Sequence, residues 1–220
     1  MRKNTLVSLL ALTLTLLIGA CHHGGMGVKG SGNRKTETRD LASFKAIDSE
    51  GAFEFDVTCQ KPVSFSIEGD DNILPLIQSD VRDGVLYLRT DKSYNSRKGI
   101  AVRITVPNLE SIKATGAGKF HISDLKNEKF TIYTTGATAL TALGETKSLE
   151  IHNTGAGKID TNSLHAQTAK VDISGAASVE VNASEQLDAD VSGVGHVSYS
   201  GNPKTVHKNV SGMGMVSPKD

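Results

Sequence analysis

The stretch Thr115-Gly-Ala-Gly-Lys-Phe120 occurs six times, in related forms, in the second half of this 220-residue chain. The other copies are Thr135-Gly-Ala-Thr-Ala-Leu140, Thr154-Gly-Ala-Gly-Lys-Ile159, Ser174-Gly-Ala-Ala-Ser-Val179, Ser192-Gly-Val-Gly-His-Val197 and Ser211-Gly-Met-Gly-Met-Val216. The glycines that align them are Gly116, Gly136, Gly155, Gly175, Gly193 and Gly212, at steps of 20, 19, 20, 18 and 19 residues. So regular a period is typical of stacked structural repeats, each of which packs on its neighbours alone.

Within each repeat, apolar and polar residues alternate with a period of two. Ile132 and Ile151 stand four residues before successive glycines, and Leu140 and Ile159 stand four residues after the second and third glycines. This alternation indicates strands with one buried face. Each repeat therefore consists of a strand, a glycine corner, a second strand and a turn of variable length.

The length of the repeat predicts a β-solenoid. About 20 residues give a path of roughly 65 Å, which suits one coil, and coils stacked about 4.8 Å apart would pair in parallel and align equivalent residues in ladders. The glycine at each corner would allow either a positive φ or a close approach of neighbouring coils. Propeller and leucine-rich repeat patterns are absent. We therefore expect an all-β fold, a single-stranded parallel β-helix with regular repeats over 110–220, right-handed by the general crossover preference.

The first 20 residues have the pattern of a lipoprotein signal peptide. Arg2 and Lys3 precede an apolar run over 6–18 that is short for a transmembrane span. The run ends in Leu17-Ile-Gly-Ala-Cys21, which looks like a bacterial lipobox. This pattern predicts cleavage before Cys21 and its acylation, including palmitate, which would hold the chain at a membrane. The alternative is an ordinary signal-peptidase site with an incidental Cys21.

We expect residues 21–40 to be flexible and residues 41–109 to be folded. The first range is glycine-rich and polar, which predicts a flexible tether from the lipidated cysteine. The second is strand-rich but irregular and is expected to cap the solenoid, in one continuous domain over 41–220. His22, the residue after the cysteine, favours the outer membrane by analogy with enterobacterial sorting. Cys59 would lack a disulfide partner, and alternation places it on a buried face.

The composition argues against several function classes. The formal net charge is zero with no basic run, so no nucleic-acid partner is expected. The histidines of the body fall at different repeat positions, so no metal site is expected. The glycine loops precede no helix, so neither a nucleotide nor another cofactor is expected.

One acidic group is a candidate surface patch. Asp172 and Asp190 would share a ladder in adjacent coils, with Asp188 two residues from Asp190. Paired carboxyl groups about 5 to 9 Å apart are what a glycosidase uses, with one kept protonated. Lys170 and His152 would share this face, however, and mixed charge is typical of a solvated sheet. No catalytic residue is therefore assigned.

Several passages resemble a known family. They are Ser49-Glu-Gly-Ala-Phe-Glu-Phe-Asp-Val57, the ranges 64–77 and 81–88, and the passage 104–118 with the repeats that follow. These are similar to the head domain of the autotransporter-adhesin family, also called the head GIN domain, over about 41–218. The resemblance implies an exported bacterial protein, often lipid-anchored, with a right-handed β-helix. It supplies no catalytic residues.

Two functional hypotheses follow from these patterns. The first is a non-enzymatic, lipid-anchored protein of the bacterial cell envelope, an adhesin-like binding or structural module whose partner is a glycan or an envelope protein. The second is a polysaccharide-cleaving β-helix enzyme. The scarcity of outward aromatic residues, chiefly Tyr94 and Tyr133, argues against the second hypothesis. The sequence does not define the oligomeric state.

Overall fold

The repeats form a parallel β-solenoid of about five turns, which confirms the predicted fold class. The computed structural model describes residues 27–219. Its strands are β1 Val28–Lys29, β2 Arg34–Thr38, β3 Ala46–Thr58, β4 Ser64–Asp70, β5 Ile77–Arg82, β6 Val85–Thr90, β7 Tyr94–Asn95, β8 Ala101–Thr105, β9 Ser111–Thr134, β10 Ala137–Asn153, β11 Ala156–Ile173, β12 Ala176–Val191, β13 Val194–Ser200, β14 Thr205–Val210 and β15 Met215–Pro218. A short 3-10 turn at Leu74–Leu76 precedes β5, within the stretch 71–77 where the sequence suggests a helical turn.

Register between the long strands follows the glycine alignment. β9, β10, β11 and β12 pair in parallel, so that Leu140 lies beside Phe120 on one side and Ile159 on the other. β13 and β14 continue on β12, and β15 pairs with β13. Backbone hydrogen bonding between coils therefore extends along the whole solenoid.

The interior is filled by stacks of apolar side chains, of which two illustrate the pattern, one from each strand of a coil. One stack consists of Ile47, Ile112, Ile132, Ile151, Val171 and Ala189, and the other of Phe55, Phe120, Leu140, Ile159, Val179, Val197 and Val216. The rings of Phe55 and Phe120 stack with centroids 4.5 Å apart. Each fully buried side chain of this size contributes about 1.5–3 kcal/mol, so these ladders supply much of the stability.

The glycine corners are required by close approach of neighbouring coils. A Cβ atom on Gly136 would lie 1.7 Å from the carbonyl oxygen of Gly116, and one on Gly155 would lie 2.1 Å from that of Gly136. Only Gly116 among the six has a positive φ, of 105°. The ladder also has a seventh member, because Gly51 pairs with Gly116.

The cap end has a spatial order that differs from the chain order. β3 lies between β9 on one side and both β6 and β8 on the other, all in parallel. The outermost strands at this end, β6 and β8, thus come later in the sequence than β3, the strand that they cover. β5 pairs antiparallel with β6, β4 with β8, and β2 with β4. Residues 59–110 are therefore an insertion between the first coil and the regular repeats.

Residues 27–40 correct the expected tether, because they are ordered against the cap. β1 pairs with β7, and β2 pairs with β4. The guanidinium group of Arg34 donates to the Gly99 carbonyl at 2.6 Å, and that of Arg39 donates to the Ile77 carbonyl at 2.8 Å. Backbone pairing and arginine contacts order this segment without apolar alternation, which is why the sequence pattern did not reveal it. The signal peptide, Cys21 and the rest of the tether lie outside the described residues.

Candidate functional site

An outward ladder of eight polar or aromatic side chains runs along one face of the solenoid. Its members, from the cap to the last coil, are Tyr87, Asp48, Lys113, Tyr133, His152, Asp172, Asp190 and Asn209. Four of the neighbouring pairs contact each other, namely Asp48–Lys113, Tyr133–His152, His152–Asp172 and Asp190–Asn209. The Nζ of Lys113 lies 2.9 Å from Oδ2 of Asp48, and this hydrogen bond raises the pKa of Lys113. The rings of Tyr133 and His152 stack at 4.9 Å and 10°.

The acidic candidates Asp172, Asp188 and Asp190 do lie together on this face. Asp172 is the register partner of Asp190, and all three border a depression of about 430 Å³ that Lys170 and Lys208 also line. The carboxylate of Asp172 lies 3.0 Å from Nδ1 of His152 and 3.4 Å from Nζ of Lys170.

Each remaining carboxylate of this patch also has a partner. Asp188 accepts a hydrogen bond from Gln186 at 2.7 Å, and Asp190 accepts one from Asn209 at 3.0 Å. This arrangement is a mixed-charge, solvated sheet surface rather than a dry cleft that could keep one carboxyl protonated. Among residues 27–219, no group of three or more His, Cys, Asp or Glu side chains is placed to hold a metal ion.

A second stacked pair, Asp160 and Glu180, lies on the other outward face. Glu180 binds Lys219 and, at 3.1 Å, Lys158. Hydrogen bonds from Lys219 and then Lys158 lower the pKa of Glu180. These contacts hold the C-terminal residues on the last coils and leave this pair structural.

A polar groove of about 1230 Å³ crosses the coils at their second, variable turn. Its floor is a stack in which Asn127, Thr146 and Ala166 are register partners, continued by Asn182, Ser184 and Gly201. Coils about 4.8 Å apart make the row roughly 19 Å long.

Hydrogen bonds fix the polar groups of the floor. Asn127 donates from Nδ2 to the Leu109 carbonyl at 2.6 Å, and Thr146 donates from Oγ1 to Oδ1 of Asn127 at 2.7 Å. Because Thr146 is buried and Asn127 is half-buried, their orientation is set before any ligand arrives. Pre-organised polar groups of this kind reduce the entropy cost of binding.

The walls of the groove carry equal numbers of lysines and glutamates, together with His165 and the phenol ring of Tyr133. Three lysines and three glutamates line it, namely Lys126, Lys129, Lys147, Glu110, Glu128 and Glu145. Lys129 lies 2.8 Å from Glu150, and Lys147 lies 2.6 Å from Glu128. Tyr133 is 43% exposed at the groove wall, where its stack on His152 holds the ring in place.

Sequence reasoning did not find the groove. The floor residues Asn127, Thr146 and Ala166 differ in type from coil to coil, and they belong to turns whose length varies. A repeating motif therefore reveals the corners and the core but not this concave face. The shared register of small or polar residues at the second turn was the available signal.

The buried thiol of Cys59 and the glycine-corner face complete the set of predicted features. Cys59 is 1% exposed, and burial, with a smaller effect of Asp124, raises its pKa to about 11. On the corner face, the residues before the glycines are all Ser or Thr, and Thr135 donates from Oγ1 to Oγ1 of Thr115 at 3.3 Å. The apolar ladder beside it ends in Val194 and Met213, which are 54% and 79% exposed.

Solved structures of similar fold include proteins of Bacteroides and Parabacteroides species. A crystal structure described as "a putative adhesin" of Bacteroides fragilis NCTC 9343 is 25% identical, with a TM-score of 0.68, and the alignment covers 88% of this chain and 100% of that chain. A crystal structure described as "a putative adhesin" of Parabacteroides merdae ATCC 43184 is 21% identical, with a TM-score of 0.55 and coverage of 88% and 99%. A third, described as "Putative lipid binding protein" of Parabacteroides distasonis ATCC 8503, is 18% identical at a TM-score of 0.54, with coverage of 88% and 99%. The latter two show the shared fold alone.

Family membership follows from the sequence itself. No curated protein matches the chain. Within residues 27–219, no helix has the length and apolar character needed to cross a bilayer. The family model described as "Putative auto-transporter adhesin, head GIN domain" matches residues 43–203, nearly all of the solenoid and its cap. The chain therefore belongs to the head GIN domain family of adhesin-like proteins, whose description indicates the cell envelope or surface.

Proposed function

We propose that this protein is a non-enzymatic, adhesin-like binding module of the bacterial envelope that holds its partner in the polar groove. The observation that carries the proposal is the groove itself, a concavity across several coils with a pre-fixed polar floor. Ligand sites are usually pre-formed concave surfaces with a few placed polar groups. Membership of an adhesin-like family agrees with binding rather than turnover.

We further propose that acylated Cys21 anchors the protein in a membrane, and that this membrane is the outer membrane. The structure describes the chain from Gly27, and the Val28 amide donates to the Ser93 carbonyl beside the cap. Six residues of chain reach at most about 20 Å. The anchor would therefore keep the cap end near the membrane. Mass spectrometry of the mature N-terminal peptide should find Cys21 at the new N-terminus and acylated, and an unmodified Cys21 would refute the anchor.

The alternative function, polysaccharide cleavage, has the stacked pair Asp172 and Asp190 in its favour. One experiment separates the two functions. The full chain is incubated with envelope and host polysaccharides and with envelope protein extracts, and both retention and released reducing ends are measured. If the protein is a binding module, the wild type should retain its ligand. The double variant Tyr133→Ala/Gln167→Ala should lose this retention, and the double variant Asp172→Asn/Asp190→Asn should keep it. Release of oligosaccharide that the aspartate variant abolishes would overturn the proposal in favour of the enzyme.

A further inference from the structure

We propose that the groove binds an uncharged glycan chain lying parallel to the solenoid axis, an inference that rests on the proposed function. The first argument is shape. The floor row from Asn127 to Gly201 runs along the axis for roughly 19 Å, across successive coils. A linear oligosaccharide of several rings fits such a trough, whereas a flat protein surface does not.

The second argument is the charge of the walls. Three lysines face three glutamates, and two of the lysines, Lys129 and Lys147, already bind the carboxylates of Glu150 and Glu128. Recognition of carboxylate or phosphate groups relies on available cations, above all arginine forks. None of the described residues that line this groove is an arginine. The walls therefore favour a ligand with no net charge.

The third argument is the chemistry of the remaining lining groups. Ser111, Gln167, Asn182 and Ser184 line the groove together with the exposed Tyr133. Asn182 donates to the Asn162 carbonyl at 3.1 Å and Ser184 to the Ala166 carbonyl at 3.4 Å, so their side-chain oxygens are left to accept hydrogen bonds. Hydroxyl and carboxamide groups both donate and accept hydrogen bonds, as the hydroxyls of a sugar do. Tyrosine adds an apolar ring edge and a phenol, which suit the amphipathic surface of a pyranose.

One acceptor in the groove lining lacks a partner. The Oδ1 atom of Asn108 is buried and accepts no hydrogen bond, while its Nδ2 donates to Glu110 at 3.2 Å. Unpaired buried acceptors are rare in folded proteins. A small rotation of this carboxamide would present the oxygen to a ligand hydroxyl at the end of the groove nearest the cap.

The test measures binding of defined hexasaccharides to the full chain by calorimetry. The probes are neutral hexamers of glucose, mannose and N-acetylglucosamine, and an acidic hexamer of galacturonic acid. We expect at least one neutral hexamer to bind, with affinity that changes by less than about twofold between 50 and 500 mM NaCl because no ion pair forms. The double variant Tyr133→Ala/Gln167→Ala should weaken binding by about tenfold or more.

Two further variants test whether binding takes place in the groove. Ser184→Trp fills the groove from an exposed position and leaves Tyr133 and its stack intact, so it should abolish binding while the thermal melt is unchanged. The control His121→Ala/Ser178→Ala lies on the other outward face and should bind like the wild type. Binding of the acidic hexamer alone, or of neutral hexamers equally to all variants, would overturn the inference. Retention of envelope protein but of no glycan would also overturn it while leaving the proposed function standing.

Discussion

At each corner of the solenoid, a single glycine lets the backbone of one coil lie directly against the next. The sequence predicted glycine there but left open whether positive φ or close approach was the reason. The distances show that close approach of neighbouring coils is the reason, since a Cβ atom on Gly155 would lie 2.1 Å from the Gly136 carbonyl oxygen. Single residues thus set the spacing of the coils. The seventh corner, Gly51, escaped the alignment because the insertion separates it from Gly116 by 65 residues.

This contact predicts a stability effect at one residue. Gly155→Ala must push two backbones apart, and overpacking of that kind should lower the free energy of unfolding by about 1–3 kcal/mol or more. The matched control is Gly195→Ala, whose Cβ would meet the side chains of Ile173 and Val191 at 3.2 and 3.3 Å and the Ala177 carbonyl oxygen at 3.3 Å. These contacts need shifts of only a few tenths of an ångström, whereas the contact at Gly155 does not permit a Cβ at all. Urea denaturation of both variants measures the difference. If the two variants unfold at the same urea concentration, close approach of the coils is not what requires glycine at the corner.

At the level of strands, the sequence predicted the regular coils and missed the arrangement at both ends. Alternation identifies β9 to β12 because every coil repeats the same local pattern. It could not show that β6 and β8 lie outside β3, since that order depends on how the inserted hairpins fold back. Nor could it find the groove, whose side chains come from turns of unequal length. Repetition encodes pairing between neighbours, while the ends and the turns depend on contacts distant in sequence.

The last strand on one face shows how the solenoid stops. In the interior ladder of Ile132, Ile151, Val171 and Ala189, the next position is Lys208. Its ammonium group donates to the Val216 carbonyl at 3.0 Å and lies 5.1 Å from the Tyr199 ring centroid. An inward-pointing lysine on an edge strand opposes pairing with another chain.

Removing that lysine should therefore promote association. Lys208→Ile extends the apolar ladder to the open end of the solenoid, and we expect concentration-dependent oligomers by size exclusion with light scattering. Lys204→Ile makes the same change of charge and hydrophobicity in the turn before β14 and serves as the control. A monomeric Lys208→Ile variant, or equal association of both variants, would assign the edge protection to another feature.

At the level of the whole molecule, a carboxylate with two cationic partners stabilises each end of the solenoid. Near the cap, Glu68 lies 3.2 Å from both Arg34 and Arg103 and joins β2, β4 and β8. At the other end, Glu180 joins Lys158 in β11 to Lys219 beyond β15. Hydrogen bonds from Arg103 and Arg34 lower the pKa of Glu68, and those from Lys219 and Lys158 lower that of Glu180. The central coils also carry ion pairs, such as Lys129–Glu150 and Lys147–Glu128, but each of these carboxylates has a single cationic partner, and the apolar ladders supply most of the stability there.

This difference predicts that acid loosens the two ends before the middle. A carboxyl group whose pKa is lower in the folded state stabilises the fold above its unfolded pKa, here 4.5, and that stabilisation disappears as the pH falls through the folded value. Between about pH 5 and pH 3, hydrogen-exchange protection should therefore fall in β2 and β15 while β10 and β11 keep theirs. The double variant Glu68→Gln/Glu180→Gln should show the same loss at pH 7 and little further change on acidification. Uniform loss of protection along the chain would show instead that the solenoid opens as one unit and that the end carboxylates do not control its fraying.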